Sequence, residues 1–322
     1  GNSSPLGKLL QEELESTVKQ GRQAVLFLNR RGYHRFVSCR ACGQAITCER
    51  CSVAMTYHTR RGSYTEGELV CHWCGGRKPV PSVCPECGSV HLVRMGYGTQ
   101  RVEEDLKTAF PSARVLRMDA DTTSTKAAYD TLLGSFRAHE GDILLGTQMV
   151  TKGHDFPDVT LVGVLMADMS LYLDDYRAAE RTFSMLTQVI GRAGRGSTPG
   201  RAVIQTMVPE HKVLHLAAKQ DYDGFYDLEI QLRRIQNAPP FGDFAMVTFT
   251  GMDEARVLHG AAKFKMSLMN LLNTADFQAE TCTVLGPAPC PVPKINYNFR
   301  HRLTLRCRMT KNLRALLAHL LR

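Results

Sequence analysis

The sequence predicts an α/β domain on a mostly parallel sheet, interrupted by a cysteine-rich insertion and followed by a small α+β domain. Three observations predict it. Apolar strand-like runs alternate with helical patterns on both sides of residues 37–90. Eight of the eleven cysteines fall into four Cys-x-x-Cys pairs inside that interval. From about residue 209 the order changes to helix, strand, helix, strand and helix.

The first element is LGKLLQEELESTVKQG, whose apolar positions Leu6, Leu9, Leu10, Leu14 and Val18 follow helical spacing and whose stop signal is Gly21. QAVLFLN (23–29) has no polar alternation, the pattern of a strand covered on both faces. After the cysteines the same texture returns. TQRVEEDLKTAF, KAAYDTLLGSFRAH and AERTFSMLTQVIGRAG read as helices, and ARVLRMD, DILLGT, TLVGVLMAD and RAVIQT as strands. Residues 5–36 and 91–208 therefore form one domain, and 37–90 are inserted into it. Residues 209–322 read as helices on one face of an antiparallel sheet, with LGPAPCPVPK as a Pro-rich turn.

The four pairs are Cys39/Cys42, Cys48/Cys51, Cys71/Cys74 and Cys84/Cys87. Two intervening residues let both thiolates turn to one side of a tight knuckle. Eight thiolates supply two complete tetrahedral sets, which predicts two structural Zn²⁺ ions per chain. Iron in the same ligands fits the spacing equally. A disulfide framework suits a small secreted chain rather than one of 322 residues, and a redox Cys-x-x-Cys occurs singly at a helix start. His58, His72 and His91 are expected to be bystanders, and Cys282, Cys290 and Cys307 ordinary buried residues.

The formal charge of +9 favours a polyanionic partner such as nucleic acid, and no apolar run reaches membrane-spanning length. The chain begins on Gly rather than Met and is expected to be a piece of a longer protein.

Two segments carry chemistry. GTQMVTKGHDFPDV (146–159) starts at a strand's carboxyl end, where α/β sheets bind ligands. Gly146 and Gly153 allow close backbone approach, Thr147 and Lys152 can meet phosphates, and Asp155 can accept from a sugar hydroxyl. QVIGRAGRG (188–196) places Arg192 and Arg195 three apart, on one face if the helix continues, with Gly191 and Gly194 leaving that face bare. Two guanidinium forks there suit a phosphate chain. In FRHRLTLRCR, alternation puts Arg300, Arg302, Arg306 and Arg308 on one strand face, opposite Phe299, His301, Leu303, Leu305 and Cys307. Such a row matches a nucleic-acid backbone, or else is a solvated outer face.

GTQMVTKGHDFPDVTLVGVLMAD followed by RAAERTFSMLTQVIGRAGRG resembles motifs V and VI of superfamily 2 helicases. With LFLNRRGY, the four cysteine pairs, GYGTQRVEEDL and PPFG, the resemblance is to the bacterial primosomal replication-restart helicases, from about residue 5 to the end. It implies a second RecA-like motor lobe, a zinc module inserted in it and a C-terminal DNA-binding domain. It further implies nested ligation: Cys39 and Cys42 with Cys84 and Cys87, and Cys48 and Cys51 with Cys71 and Cys74, which also closes the two ends of the insertion together. Arg192 and Arg195 become arginine fingers, Gln188 a nucleotide-positioning residue, and Gly153 and Asp155 contacts to phosphate and ribose. Thr147 and Gln148, with Arg30 and Arg31, would face the DNA backbone or the cleft between lobes.

The implied cofactors are zinc here and ATP with Mg²⁺ in the longer protein. The implied partners are branched and single-stranded DNA, single-stranded-DNA-binding protein and other primosome proteins, in the bacterial cytoplasm at the nucleoid, with no membrane. No GxxxxGK[ST] loop and no DEEH-type carboxylate motif occur in the chain, so it is not expected to hydrolyse ATP alone. The family's usual acidic DVDP-like terminal strand is also missing from the sequence. Two other classes compete. Four Cys-x-x-Cys pairs occur in zinc regions of J-type chaperones, but CRACGQA and CPECGSV lack the second glycine of those repeats. The other alternative is a non-catalytic nucleic-acid-binding relative of the motor fold.

Overall fold

The computed structural model describes residues 6–29, 36–59, 67–95, 98–119, 122–123, 125–147, 156–194 and 198–321. In chain order, α1 (Lys8–Lys19) leads into β1 (Gln23–Leu28). The cysteine-rich stretch carries short strands β2 (Phe36–Cys39), β3 (Thr56–Thr59), β4 (Gly67–Val70), β5 (Arg77–Pro79) and β6 (Leu92–Met95). The chain continues through α2 (Thr99–Ala109), β7 (Val115–Met118), α3 (Lys126–Arg137), β8 (Ile143–Gly146) and β9 (Val159–Leu165). Next come a single 3-10 turn (Ala167–Ser170), α4 (Ala178–Ile190), β10 (Arg201–Ile204), α5 (Lys212–Ala218) and α6 (Tyr222–Ile235). Last are β11 (Asp243–Gly251), α7 (Glu254–Leu272), β12 (Cys282–Ile295), β13 (Asn298–Cys307) and α8 (Lys311–Leu320).

Five strands form one parallel sheet in the order β10-β9-β1-β8-β7. Every residue of β1 is buried, and alternate side chains enter different cores. Val25 and Phe27 join Leu144, Val162 and Val164 under Leu133 and Phe136 of α3 and Phe183, Leu186 and Val189 of α4. Ala24, Leu26 and Leu28 join Ile143, Leu145, Leu161 and Leu165 under Leu10 and Leu14 of α1 and Val102 and Leu106 of α2. The unbroken apolar strands are thus explained by helices on both faces.

The chain divides into two compact units, residues 1–34 with 96–229, and 35–95 with 230–322. The boundary expected at 209 falls later. Val213, Leu214 and Ala217 of α5 and Phe225 of α6 are buried in the core beneath α4, with Phe225 stacked on Phe183 at 4.2 Å between ring centroids.

In the second unit, β2 pairs with β6 across the base of the cysteine-rich module, so its two ends lie side by side. β3, β4 and β5 form a separate antiparallel sheet. The C-terminal sheet has the order β11-β13-β12, with α7 and α8 covering one face around Leu303, Leu305 and Cys307. The Pro-rich segment expected as a turn belongs to β12. Proline lacks an N–H for the ladder, and an edge strand tolerates that. The register shifts between Leu285 and Ala288 and between Pro289 and Lys294, where these prolines interrupt pairing.

Candidate functional site

The four cysteine pairs build four copies of one knuckle. The first cysteine's N–H donates to the carbonyl five residues on: Cys39 to Gln44, Cys48 to Val53, Cys71 to Gly76 and Cys84 to Ser89, at 2.8–2.9 Å. Its carbonyl accepts from the residue four on, namely Gly43, Ser52, Gly75 and Gly88. That fourth residue needs a left-handed backbone, with φ of +77°, +54°, +71° and +71° in turn. Three knuckles supply glycine there, and the second carries Ser52 at a conformational cost of about 1 kcal/mol.

The sulfurs meet in two groups, Cys39, Cys42, Cys84 and Cys87, and Cys48, Cys51, Cys71 and Cys74. Within each group all sulfurs lie within 4.8 Å of one another. Cys39 to Cys87 is 3.6 Å, and Cys42 to Cys84 and Cys48 to Cys74 are 3.7 Å. A zinc–sulfur bond of about 2.3 Å gives a tetrahedral edge of about 3.8 Å, so both donor sets fit zinc. All four positions of each are thiols, which leaves none for a substrate.

The Cys42 amide holds the Cys39 thiol down to about 6, and the Gly76 amide holds Cys74 down to about 7. Burial pushes Cys51 up to about 12. Cys87 also rises to about 12: hydrogen bonding to Cys42 and burial outweigh the Ser89 amide, which lowers it. A metal entering either group therefore displaces protons. His58 and His72 face each other with Nε2 atoms 3.2 Å apart and belong to neither sulfur group, and nor does His91. Cys282 and Cys307, unpaired by spacing, are opposite each other across β12 and β13.

Thr147 on one side and Gln188 with Arg192 on the other lie at different edges of the parallel sheet. Thr147 follows β8, whose last residue Gly146 is level with Phe27 and Val164 at the carboxyl edge. α4 ends at Ile190, so Arg192 sits in a turn and not on the helix face expected for it. Gly191 stops the helix, and Gly194 turns back at φ +71°. A Cβ on Gly194 would overlap the Gly200 backbone. The Gly194 N–H donates to the Val159 carbonyl at 3.0 Å. Val159 is level with Gln23, five residues and roughly 16 Å before Val164, at the amino edge. Gln188 and Arg192 are therefore carried at one end of the sheet and Thr147 at the other. Gln148, Gly153, Asp155, Arg195, Arg30 and Arg31 lie outside the described residues.

On the C-terminal sheet, Arg300, Arg302 and Arg306 alternate with buried His301, Leu303, Leu305 and Cys307. β13 ends at Cys307, so the exposed Arg308 lies one residue beyond the strand. The row is less free than alternation suggests. Arg306 lies over the Phe244 ring at 5.8 Å, Arg302 reaches the Met246 sulfur at 3.7 Å, and Arg300 donates to the Val292 carbonyl at 3.4 Å.

Three sequence families match in order: the PriA DNA helicase Cys-rich region domain over residues 48–79, the helicase conserved C-terminal domain over 93–197, and the primosomal protein N C-terminal domain over 234–322. The replication restart protein PriA of Bacillus subtilis is 47% identical over 321 residues, covering 100% of this chain. The chain belongs to the PriA family. The PriA of Synechocystis is 41% identical over 306 residues, and that of Haemophilus influenzae 38% over 304. The chain spans 38%, 36% and 40% of these three PriA relatives. The match to the helicase conserved C-terminal domain falls on the parallel-sheet unit, and the match to the Cys-rich region falls on the insertion, whose eight thiols form two zinc-binding groups. Among the described residues no helix is long and apolar enough to cross a membrane.

Two features were missed from sequence. Asn29, at the end of β1, donates to Ser170 Oγ at 3.0 Å, and the Thr182 hydroxyl donates to the same oxygen at 2.8 Å, tying β1 to α4. The second is the turn after β12, INYN, which carries the Asn signal of a tight hairpin and touches the cysteine module.

Proposed function

We propose that this chain is the second motor lobe, metal module and C-terminal DNA-binding domain of an ATP-dependent DNA helicase that recognises abandoned replication forks and initiates primosome assembly. The observation that carries the reading is the separation of Thr147 from Gln188 and Arg192 by the length of a strand. A motor that couples nucleotide to DNA needs two ligands on one rigid body, and this sheet offers a polar edge to each. At the amino edge, Arg192 and Arg195 would stabilise charge on the γ-phosphate of an ATP·Mg²⁺ gripped by another lobe. Gln188 would position the nucleotide, and Gly153 and Asp155 would meet its phosphate and ribose side. At the carboxyl edge, Thr147 and Gln148 would contact the DNA backbone.

Each sulfur group would hold one Zn²⁺, two per chain, and both ions are structural because no coordination position is left open. Arg300, Arg302 and Arg306, with Arg308 beyond the strand end, would add phosphate contacts that read backbone shape and not sequence. The substrates are branched and single-stranded DNA. The protein partners are single-stranded-DNA-binding protein and other primosome proteins, in the bacterial cytoplasm at the nucleoid.

Arg195→Ala and Arg192→Ala in a full-length protein test the assignment. Loss of an arginine finger should lower kcat by about 10³-fold or more with DNA affinity near wild type. Loss of DNA affinity with kcat retained would make these arginines DNA contacts and overturn it.

A further inference from the structure

The hairpin between β12 and β13 reaches the second cysteine group. Its two turn residues, Asn296 and Tyr297, both have left-handed backbones, with φ of +46° and +66°. This is the two-residue turn that matches strand twist, but it is built without glycine. A Tyr in that conformation needs support from its surroundings. The support is visible. The Tyr297 N–H donates to the Arg50 carbonyl at 2.8 Å, and the Arg50 guanidinium lies 6.0 Å from the Tyr297 ring centre. Ile295 packs against the apolar core of the cysteine module, which includes Val37, Ile46, Met55 and Leu69.

The Asn296 N–H donates to Cys51 Sγ at 3.3 Å. In the other three knuckles the second cysteine's sulfur accepts an amide from two residues on: Gln44 for Cys42, Gly76 for Cys74 and Ser89 for Cys87. For Cys51 the amide comes from a residue 245 positions away. This is also the knuckle that has Ser52 in place of glycine. Cys51 is completely buried, so water cannot substitute for that amide.

We infer that the Asn296–Tyr297 turn is an outer-shell part of the second zinc site, a clamp whose amide completes the Cys48, Cys51, Cys71 and Cys74 group and ties metal retention there to docking of the C-terminal sheet. The inference rests on the reading that this group holds zinc. A thiolate in a tetrathiolate site carries excess negative charge, and an amide pointed at a buried sulfur disperses it. Removing such outer-shell partners typically weakens metal binding by about 10–100-fold. The Cys39, Cys42, Cys84 and Cys87 group takes its amides from its own knuckles and has no such dependence.

The test uses the whole chain, ¹⁵N-labelled and loaded with ¹¹³Cd. Two cadmium resonances in the tetrathiolate range are expected, with a proton–cadmium correlation from the Asn296 amide to one of them. One resonance or none overturns the zinc reading and the inference with it. In the zinc form, Ile295→Asp should undock the turn and release one of the two ions to excess chelator about 10-fold faster or more, with the other unchanged. Ile295→Val, which keeps the packing, should release both at the wild-type rate. Two cadmium resonances with no Asn296 correlation, together with unaltered release from Ile295→Asp, overturn the clamp and leave the zinc reading standing.

Discussion

Removing metal should unfold the cysteine module and leave the parallel-sheet lobe folded. Among the described residues, the module's five strands are three or four residues long, and its core has five non-cysteine side chains buried: Val37, Ile46, Met55, Tyr57 and Leu69. At about 2 kcal/mol for each, that core contributes about 10 kcal/mol. A structural zinc contributes about 10–16 kcal/mol, so two would outweigh the apolar core by a factor of about two or three. The lobe differs in kind, because its sheet is buried between two apolar cores with no cysteine in either. The C-terminal sheet also has its own core. Hydrogen exchange followed by mass spectrometry, with and without excess chelator, separates the three. Protection should disappear from 36–59 and 67–95 and fall at 295–298, while 23–28, 143–146 and 159–165 remain protected. A module that stays protected in excess chelator, or a lobe that melts with it, would contradict this.

Ser52→Gly should stabilise the metal-loaded module by about 0.5–1 kcal/mol, since only backbone strain changes at φ +54°; a lower midpoint in a chelator-free melt would contradict this. Gly194→Ala should destabilise the lobe by about 2–4 kcal/mol, combining left-handed strain with overlap on the Gly200 backbone, and calorimetry of the lobe transition measures it. Arg302→Ala with Arg306→Ala should flatten the slope of log K against log salt by about 1.4–1.8 units if each arginine holds one phosphate; an unchanged slope would make this an ordinary outer face. Asp142 is held below the usual carboxylate range chiefly by hydrogen bonding to Arg114. Its stabilisation is therefore present above about pH 4 and lost as pH falls through the folded value, so Asp142→Asn should lower stability at pH 7, and the difference from wild type should shrink as pH falls below about 4. The chain alone should show no DNA-stimulated ATP hydrolysis at any nucleotide concentration.

Much of this fold was legible because its signals are local. The unbroken apolar run of β1 requires helices on both faces, and each repeated knuckle is specified within six residues. The alternation of β13 fixed which side chains face the core. What escaped reading was set by partners distant in sequence. Prolines in 282–295 suggest a turn until the pairing of that segment with β13 makes it an edge strand. Helical spacing through GRAGR gives no sign that the Gly194 amide is bonded to Val159, which pulls Arg192 into a turn. Phe225 carries no mark in the sequence that assigns it to the lobe, because only its stacking on Phe183 does so. The Asn296 contact with Cys51 spans 245 residues, beyond the reach of any local pattern.

In the proposed reading, one parallel sheet presents nucleotide at its amino edge and DNA at its carboxyl edge. Photo-crosslinking of a full-length PriA-family protein, once with an azido-ATP and once with DNA bearing photoreactive backbone groups, tests it most directly. Peptide mapping should place the nucleotide adducts of this lobe within 188–195 or 153–155, and the DNA adducts at Thr147 and Gln148 and along 300–308. Nucleotide adducts at Thr147, or DNA adducts at Gln188 and Arg192, would reverse the two edges.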